Sequence, residues 1–405
     1  MKILIITQYF WPENFRINDL ASYFSQEDHK ITVLTGYPNY PDGEVFKEFK
    51  ANRKNFSSYN DVEIKRVPII SRGKSRFKLV LNYVSFIFSA TLYGMTKINR
   101  KDYDLIFVYE PSPVTVCIPA IFISRKKIPI VFWVLDLWPD SLIDLGIKNK
   151  FVIGFVEKVV KYIYSKCTVI LGQSETFVRK IKKISPTSDV IFFPSWSEKL
   201  NNKINDKTKS LVRFDKNSFN IVFAGNIGQA QDFQSVLKAA RELKEFNDIK
   251  WTFLGDGRAL NESKLLSKDY DILNNVSFPG RVPLSDVAGL LNQADALLIS
   301  LAEGQAFSSV IPAKLQTYLQ IGKPILGMLS GEGANIIKQA KVGLTCKPGD
   351  YEQLAKNILK LKEIKNENLK AMGKNGPRFS NEYFQREMLL RKLNQILTKV
   401  VKEST

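Results

Sequence analysis

The chain has 405 residues, 44% of them hydrophobic and 24% charged. That is too long for one ordinary core, divides naturally into two domains of about 150–200 residues, and carries too much apolar material for a disordered chain. His29 is the only histidine, and the three cysteines (Cys117, Cys167 and Cys346) lie far apart without a CxxC or Cys/His pairing. A zinc site, a disulfide framework and histidine-based hydrolase schemes are therefore disfavoured, and a reducing cytoplasm is the natural setting.

The first predicted strand, 2–7, contains an apolar run of four residues, too short for a signal peptide. The loop after it carries Trp11, Glu13, Phe15 and Arg16 ahead of a predicted helix near 18–25. Aromatic groups in a loop mark a binding surface. His29 falls between Asp28 and Lys30 and reads as a solvated turn residue. Strands follow at 31–36, 62–69, 105–110, 130–136, 168–172 and 190–193. Most are continuous apolar runs, the mark of strands buried on both faces of a parallel sheet.

The net charge of +19 exceeds what solubility requires and asks for an anionic partner. From Lys65 to Lys101 there are nine basic residues (Lys65, Arg66, Arg72, Lys74, Arg76, Lys78, Lys97, Arg100 and Lys101) and no acidic one. Within this stretch lies the most apolar run of the chain, 79–95. As a helix it would span about 25 Å, short of the ~20 residues that cross a bilayer. It reads as a helix that packs into a domain or lies shallowly in a membrane surface. The amphipathic, lysine-rich segment 148–166 fits the same surface. The strand 130–136 runs into Asp136, Trp138 and Asp140, where carboxylates and an aromatic face suit a sugar, while Trp133 reads as core.

A polar, lysine- and asparagine-rich segment, 199–217, is the linker candidate. It separates an N-terminal domain, 1–199, from a second domain, 218–380. Strands are predicted there at 220–225, 251–255, 276–278, 296–300, 324–328 and 343–346, and the chain is helical after about 351. The strand 220–225 leads into Gly225, Asn226 and Gly228, whose small residues let backbone N–H groups approach a phosphate, or simply close a tight turn. Gly255 and Gly257 follow the next strand. Arg281 follows the third, where a guanidinium fits a diphosphate bidentately or makes a surface salt bridge. Lys314 lies in the first turn of a predicted helix, where the macrodipole disfavours a cation and an anion nearby would explain it. Gly331, Glu332 and Gly333 form another strand-end loop.

Tyr9 to Glu13, Val33 to Gly43, Asp136 to Ser141, Ala224 to Gln231, and Ile311 to Lys314 through Pro324 occur in an order that resembles glycosyltransferase family 4. The similarity is strongest to its bacterial branch of WbuB-like L-fucosamine transferases of O-antigen, colanic-acid and capsule biosynthesis. The resemblance implies an α/β fold of two Rossmann-like domains facing across a cleft (GT-B). It implies a retaining transfer from a nucleotide-diphosphate sugar held by the second domain, with a UDP-sugar such as UDP-N-acetyl-L-fucosamine as donor. It also implies a lipid-linked saccharide acceptor at the inner membrane face, and a last helix, about 381–402, that crosses back to the first domain. This sequence has Asn226 and Gln231 where family members often carry an arginine and a lysine. It has Ser309 and Thr317 where they often carry two glutamates, with Glu303 as a stand-in for the first.

On this reading Arg281 and Lys314 hold the departing diphosphate, joined by glycine-loop amides and by Arg16 from the first domain. Asp136 orients a hydroxyl, and Glu13, Trp11 and Trp138 meet the acceptor. No metal or other cofactor is expected. The expected location is cytoplasmic, on the anionic inner face of the plasma membrane. The rival readings are a UDP-sugar 2-epimerase on the same scaffold, which needs histidine in its cleft, and a basic nucleic-acid-binding protein, for which no recognisable module is present. A nicotinamide dehydrogenase lacks its Gly-x-Gly-x-x-Gly after the first strand.

Overall fold

Strands form where the apolar runs predict them. The computed structural model describes residues 1–73, 75–144, 146–196 and 203–404. These divide into two units, Met1–Ser195 with Glu387–Thr405, and Trp196–Arg386. The first unit holds β1 (Lys2–Ile6), β2 (Lys30–Gly36), β3 (Ser58–Tyr59), β4 (Val62–Val67), β5 (Leu105–Tyr109), β6 (Ile130–Val134), β7 (Val169–Gly172) and β8 (Asp189–Phe192). Their order in the sheet is β3-β4-β2-β1-β5-β6-β7-β8. All neighbours are parallel except β3 and β4. β5 and β6 are buried at every position, so helices must cover both faces.

The second unit holds β9 (Phe219–Ala224), β10 (Ile249–Leu254), β11 (Val276–Gly280), β12 (Ala296–Ser300), β13 (Ile325–Met328) and β14 (Gly343–Cys346). All are parallel, in the order β11-β10-β9-β12-β13-β14. The order reverses between β9 and β12 here, and between β1 and β5 in the first unit. Doubly wound sheets bind ligands outside the carboxyl ends of strands at such reversals.

The apolar run 79–95 is part of a longer helix, Arg76–Lys97, started by Ser75, whose hydroxyl accepts the Lys78 N–H. Over Phe77–Lys97 it is long and apolar enough to cross a membrane. One face nevertheless packs inward: Asn82, Phe86 and Ala90 are buried, and Gly94 meets Ile123 so closely that a Cβ would sit 2.3 Å from it. The opposite face exposes Phe77, Val80, Val84, Phe88, Leu92 and Met95, a continuous stripe at helical spacing. Of the nine cations in this stretch, Lys74 lies outside the described residues.

Residues 199–202 of the linker candidate also lie outside the described residues. The rest is built into the second unit. Asn205 caps the helix Asp206–Leu211 and bonds to Asp286, and Thr208 and Val212 are buried. His29 is no solvated turn residue. Its Nε2 meets Asn394 Oδ1 at 3.0 Å, which ties the chain before β2 to the last helix, Arg386–Ser404. That helix buries Leu389, Leu390, Leu393, Leu397 and Val400, and Lys392 Nζ donates to the Phe192 carbonyl.

Candidate functional site

In the second unit β9 ends at Ala224 and β10 at Leu254, each followed by a glycine. Gly225 and Gly255 have φ of 141° and 137°, and a Cβ on Gly255 would lie 1.9 Å from the Gly225 carbonyl oxygen. Only glycine lets the two backbones touch there. At these strand ends lies a cavity of about 420 Å³. Gly225, Asn226, Gly255, Asp256, Arg281 and Lys314 line its polar side, with Thr317 and Tyr318. Val282, Leu284, Val287 and Leu291 form an apolar wall.

Lys314 is the chemically decisive group. It stands in the first turn of the helix Ala313–Ile321, and its Nζ is cut off from solvent with no hydrogen-bond partner among the described residues. The ammonium lies 3.7 Å from the centroid of the Phe223 ring. Burial pushes its pKa from 10.5 down to about 7. Gly225 is small enough to admit it, since a Cβ there would sit 3.1 Å from Nζ. A buried cation without a counter-charge is costly, and the positive end of a helix adds to the cost. An anion entering the cavity removes both penalties.

Arg281 shares the cavity with Lys314, as the sequence leads one to expect, but it is exposed and its Nε lies 3.4 Å from Asp256. An exposed pair of this kind contributes about 0–1 kcal/mol, so it yields easily to a better anion. Asn226 lines the cavity, and its amide donates to Gln231 Oε1, which also accepts the Gly228 N–H. Gln231 and Gly228 thereby shape the loop rather than line the hollow.

Five further residues expected at the donor stand elsewhere. Gly257 is pressed against the Ile227 carbonyl and Gly331 against that of Ser308, both too close for a Cβ, so each serves a backbone crossing. Gly333 packs on Leu329 and Pro312 behind Glu332, the first residue of the helix Glu332–Gln339. Glu303 is exposed beside the loop of Ala230, outside the cavity lining. Sequence reasoning missed Tyr318, whose hydroxyl accepts the Ala224 N–H, and the apolar wall. The spacing of Leu284, Val287 and Leu291 along one helix was the available signal.

In the first unit Asp136 follows β6. It accepts hydrogen bonds from Ser141 and, at 3.1 Å, from Ser112, and burial raises its pKa. The Trp138 indole lies beside it. Behind it stands Glu110, fully buried, whose Oε2 accepts the N–H groups of Leu135 and Asp136. Burial, then the charge of Asp136, holds Glu110 well above the usual carboxylate range. Asp140 is taken up by Lys180 at 2.6 Å, and Trp133 is core.

Two residues assigned to the acceptor side serve the loop itself. Glu13 is buried and spends its carboxylate on the N–H groups of Asn39, Tyr40 and Phe10. Burial raises its pKa to about 7 despite these donors. Trp11 packs its ring on Phe56 and Tyr59 at the β3 edge. Arg16 opens the helix Arg16–Gln26 with its backbone against the Tyr109 hydroxyl. Tyr9, Phe15 and Tyr40 make an aromatic cluster with centroids 5.1–5.5 Å apart.

Two doubly wound sheets, one carrying a cavity with a buried cation at its strand ends, make the two-domain fold of the GT-B class of glycosyltransferases. The family model described as "Glycosyl transferases group 1" matches residues 205–379, so the chain carries a glycosyl transferase group 1 domain in its second unit. The chain is similar to WcaI of Escherichia coli K12, described as a colanic acid biosynthesis glycosyl transferase. The two are 24% identical over 80% of this chain and 82% of that protein. Among solved structures it is similar in fold to sucrose-phosphate synthase from Thermosynechococcus elongatus, with a TM-score of 0.75, 13% identity and 99% of each chain covered. It is also similar to Anabaena HepE, solved with UDP and glucose, with a TM-score of 0.67, 13% identity and coverage of 98% of this chain and 99% of that one. The 2-epimerase alternative loses its histidine, since His29 is bound to Asn394.

Proposed function

We propose that the protein moves a sugar, with retention of configuration, from a UDP-sugar to a lipid-linked saccharide at an anionic membrane surface, in the building of a bacterial surface polysaccharide. The observation that carries the reading is the buried, unpartnered ammonium of Lys314 at the ends of β9 and β10. The apolar wall suits a nucleobase and the cation suits the diphosphate. As the sugar–diphosphate bond breaks, negative charge grows on the leaving group. A cation already in place stabilises it without reorganisation, usually the largest single catalytic term. Arg281 and the backbone N–H of Asn226 complete the anion site. Asp136 orients the attacking hydroxyl. Likeness to a protein described for colanic acid biosynthesis and to one solved with UDP and glucose supports the polymer and the nucleotide.

The first unit's surface supports the membrane part of this reading. The stripe on Arg76–Lys97 and the exposed Phe151 (91%) and Phe155 (68%) of the helix Lys150–Tyr164 flank the same 3-10 turn, Val114–Cys117, on which both helices pack. Exposed Lys78, Lys97, Lys158 and Lys161 accompany them. Apolar residues beside cations fit the interface of an anionic bilayer.

The test is a thermal-shift series with UDP-, GDP- and dTDP-sugars, UDP-N-acetyl-L-fucosamine among them. This is followed by transfer of radiolabelled sugar to a prenyl-diphosphate-linked saccharide. A rise in Tm with UDP-sugars that Lys314→Ala abolishes is the expected result. Equal shifts in both proteins would remove the donor site from this cavity.

A further inference from the structure

One cation at the carboxyl ends of the first unit's strands has no role in the reaction so far. Arg72 is half-buried in the segment between β4 and the helix Arg76–Lys97. Its backbone is pinned: its N–H donates to Asn39 Oδ1 at 3.0 Å, and the N–H of Gly73 to the Gly43 carbonyl at 3.1 Å. Its guanidinium lies 5.2 Å over the Tyr40 ring and faces Tyr9 and Tyr83. Among the described residues no carboxylate forms an ion pair with it.

The neighbours on either side are of opposite kinds. Tyr83 lies against Ser112, whose hydroxyl donates to Asp136 at 3.1 Å. Arg72 is thus two residues removed, in contacts, from the carboxylate that orients the acceptor. In the other direction Ser75 starts the helix whose outer face exposes Phe77, Val80, Val84 and Phe88. The molecule therefore presents, in sequence, an apolar outward face, a fixed cation ringed by tyrosines, and a carboxylate. That is the order of parts in an acceptor made of a lipid tail, a diphosphate and a sugar hydroxyl.

We infer that Arg72 binds the diphosphate of a prenyl-diphosphate-linked acceptor and so sets which acceptors are used. This rests on the lipid-linked acceptor of the proposed function. A planar guanidinium held at its backbone and stacked on a ring is suited to bidentate phosphate binding, which lysine does not reproduce.

Calorimetric titration of farnesyl diphosphate, farnesol and inorganic diphosphate into wild type, Arg72→Ala and Arg72→Lys tests it, with UDP titrated as a separate measure of the second unit. Wild type should prefer farnesyl diphosphate to both other probes. Arg72→Ala should weaken that binding about 10- to 100-fold, the loss of one or two charge-assisted hydrogen bonds, and Arg72→Lys should recover only part. UDP binding should be the same in all three. Equal binding of farnesyl diphosphate by wild type and Arg72→Ala overturns the inference, as does a wild type that binds farnesol or inorganic diphosphate equally well. Transfer to a prenyl-diphosphate-linked saccharide separates the two levels. No transfer by wild type overturns the acceptor reading and the inference together, whereas transfer with an unchanged acceptor KM in Arg72→Ala overturns the inference alone.

Discussion

The Lys314 ammonium faces the Phe223 ring at 3.7 Å, and among the described residues that ring is the one group that compensates its charge. A ring face stabilises a desolvated cation by about 2 kcal/mol, less than the several kcal/mol that removing an ion from water costs. The ligand-free protein therefore carries a standing penalty at this position, and the penalty has a pH dependence.

Lys314→Met should raise the Tm of the ligand-free protein while removing its response to UDP. The folded-state pKa, about 7, lies below the unfolded value of 10.5. The unfolded chain thus holds more protons between these limits, and wild-type stability rises with pH across them. The gain from Lys314→Met should be largest near pH 6.5 and shrink toward pH 10. Scanning calorimetry of both proteins over that range checks it; a Tm that falls on substitution at every pH would mean that Lys314 is already neutralised in the free protein.

Nucleotide binding should draw a proton onto the same group. At pH 8 Lys314 is mostly neutral in the free protein, and a bound diphosphate favours its charged form. Titration calorimetry of UDP in buffers of different ionisation enthalpy should show uptake approaching one proton at pH 8. Affinity should fall up to about tenfold per pH unit above that. Lys314→Met should show neither effect.

Asp136→Asn should lower kcat about 100-fold, the typical cost of one preorganised polar contact in a transition state, and leave UDP affinity unchanged. Ser112 and Ser141 both donate to this carboxylate. An amide offers the same shape but turns one acceptor into a donor against those hydroxyls. Steady-state kinetics with donor and acceptor varied separately measures it, and an unaltered kcat would remove Asp136 from the reaction.

Much of this was legible along the chain. Strands buried on both faces declare themselves as unbroken apolar runs, and of the fourteen strands among the described residues only β3 escaped, because Ser58–Tyr59 exists only by pairing with β4. Lys314 was legible as a cation placed against a helix dipole. Glu13 and Arg72 were not. Glu13 meets Asn39 and Tyr40 across 26 and 27 positions, and Arg72 meets Asn39 across 33. Nothing in their neighbours distinguishes a carboxylate spent on backbone from one free to bind, or one cation in a basic run from the next. The helix Arg76–Lys97 read short because its charged and polar ends do not count as apolar, although they continue the same hydrogen-bonded turns.

That helix supports the last prediction. Its outward stripe is unpartnered in the unit, with Phe77 and Phe88 each 71% exposed. Removing such a side chain from water is worth about 1.5–3 kcal/mol when complete, and each lysine near an anionic surface adds about 1 kcal/mol. Val84→Asp with Phe88→Asp forfeits two apolar contacts and adds two charges of the wrong sign. Binding to phosphatidylglycerol vesicles should fall by well over tenfold in co-sedimentation at low salt, while binding to phosphatidylcholine stays weak in both proteins. Both positions are exposed, so Tm and UDP affinity should hold within error. Undiminished sedimentation of the double variant would move the membrane contact off this helix and onto the exposed face of Lys150–Tyr164, where Phe151→Asp would then be the decisive substitution.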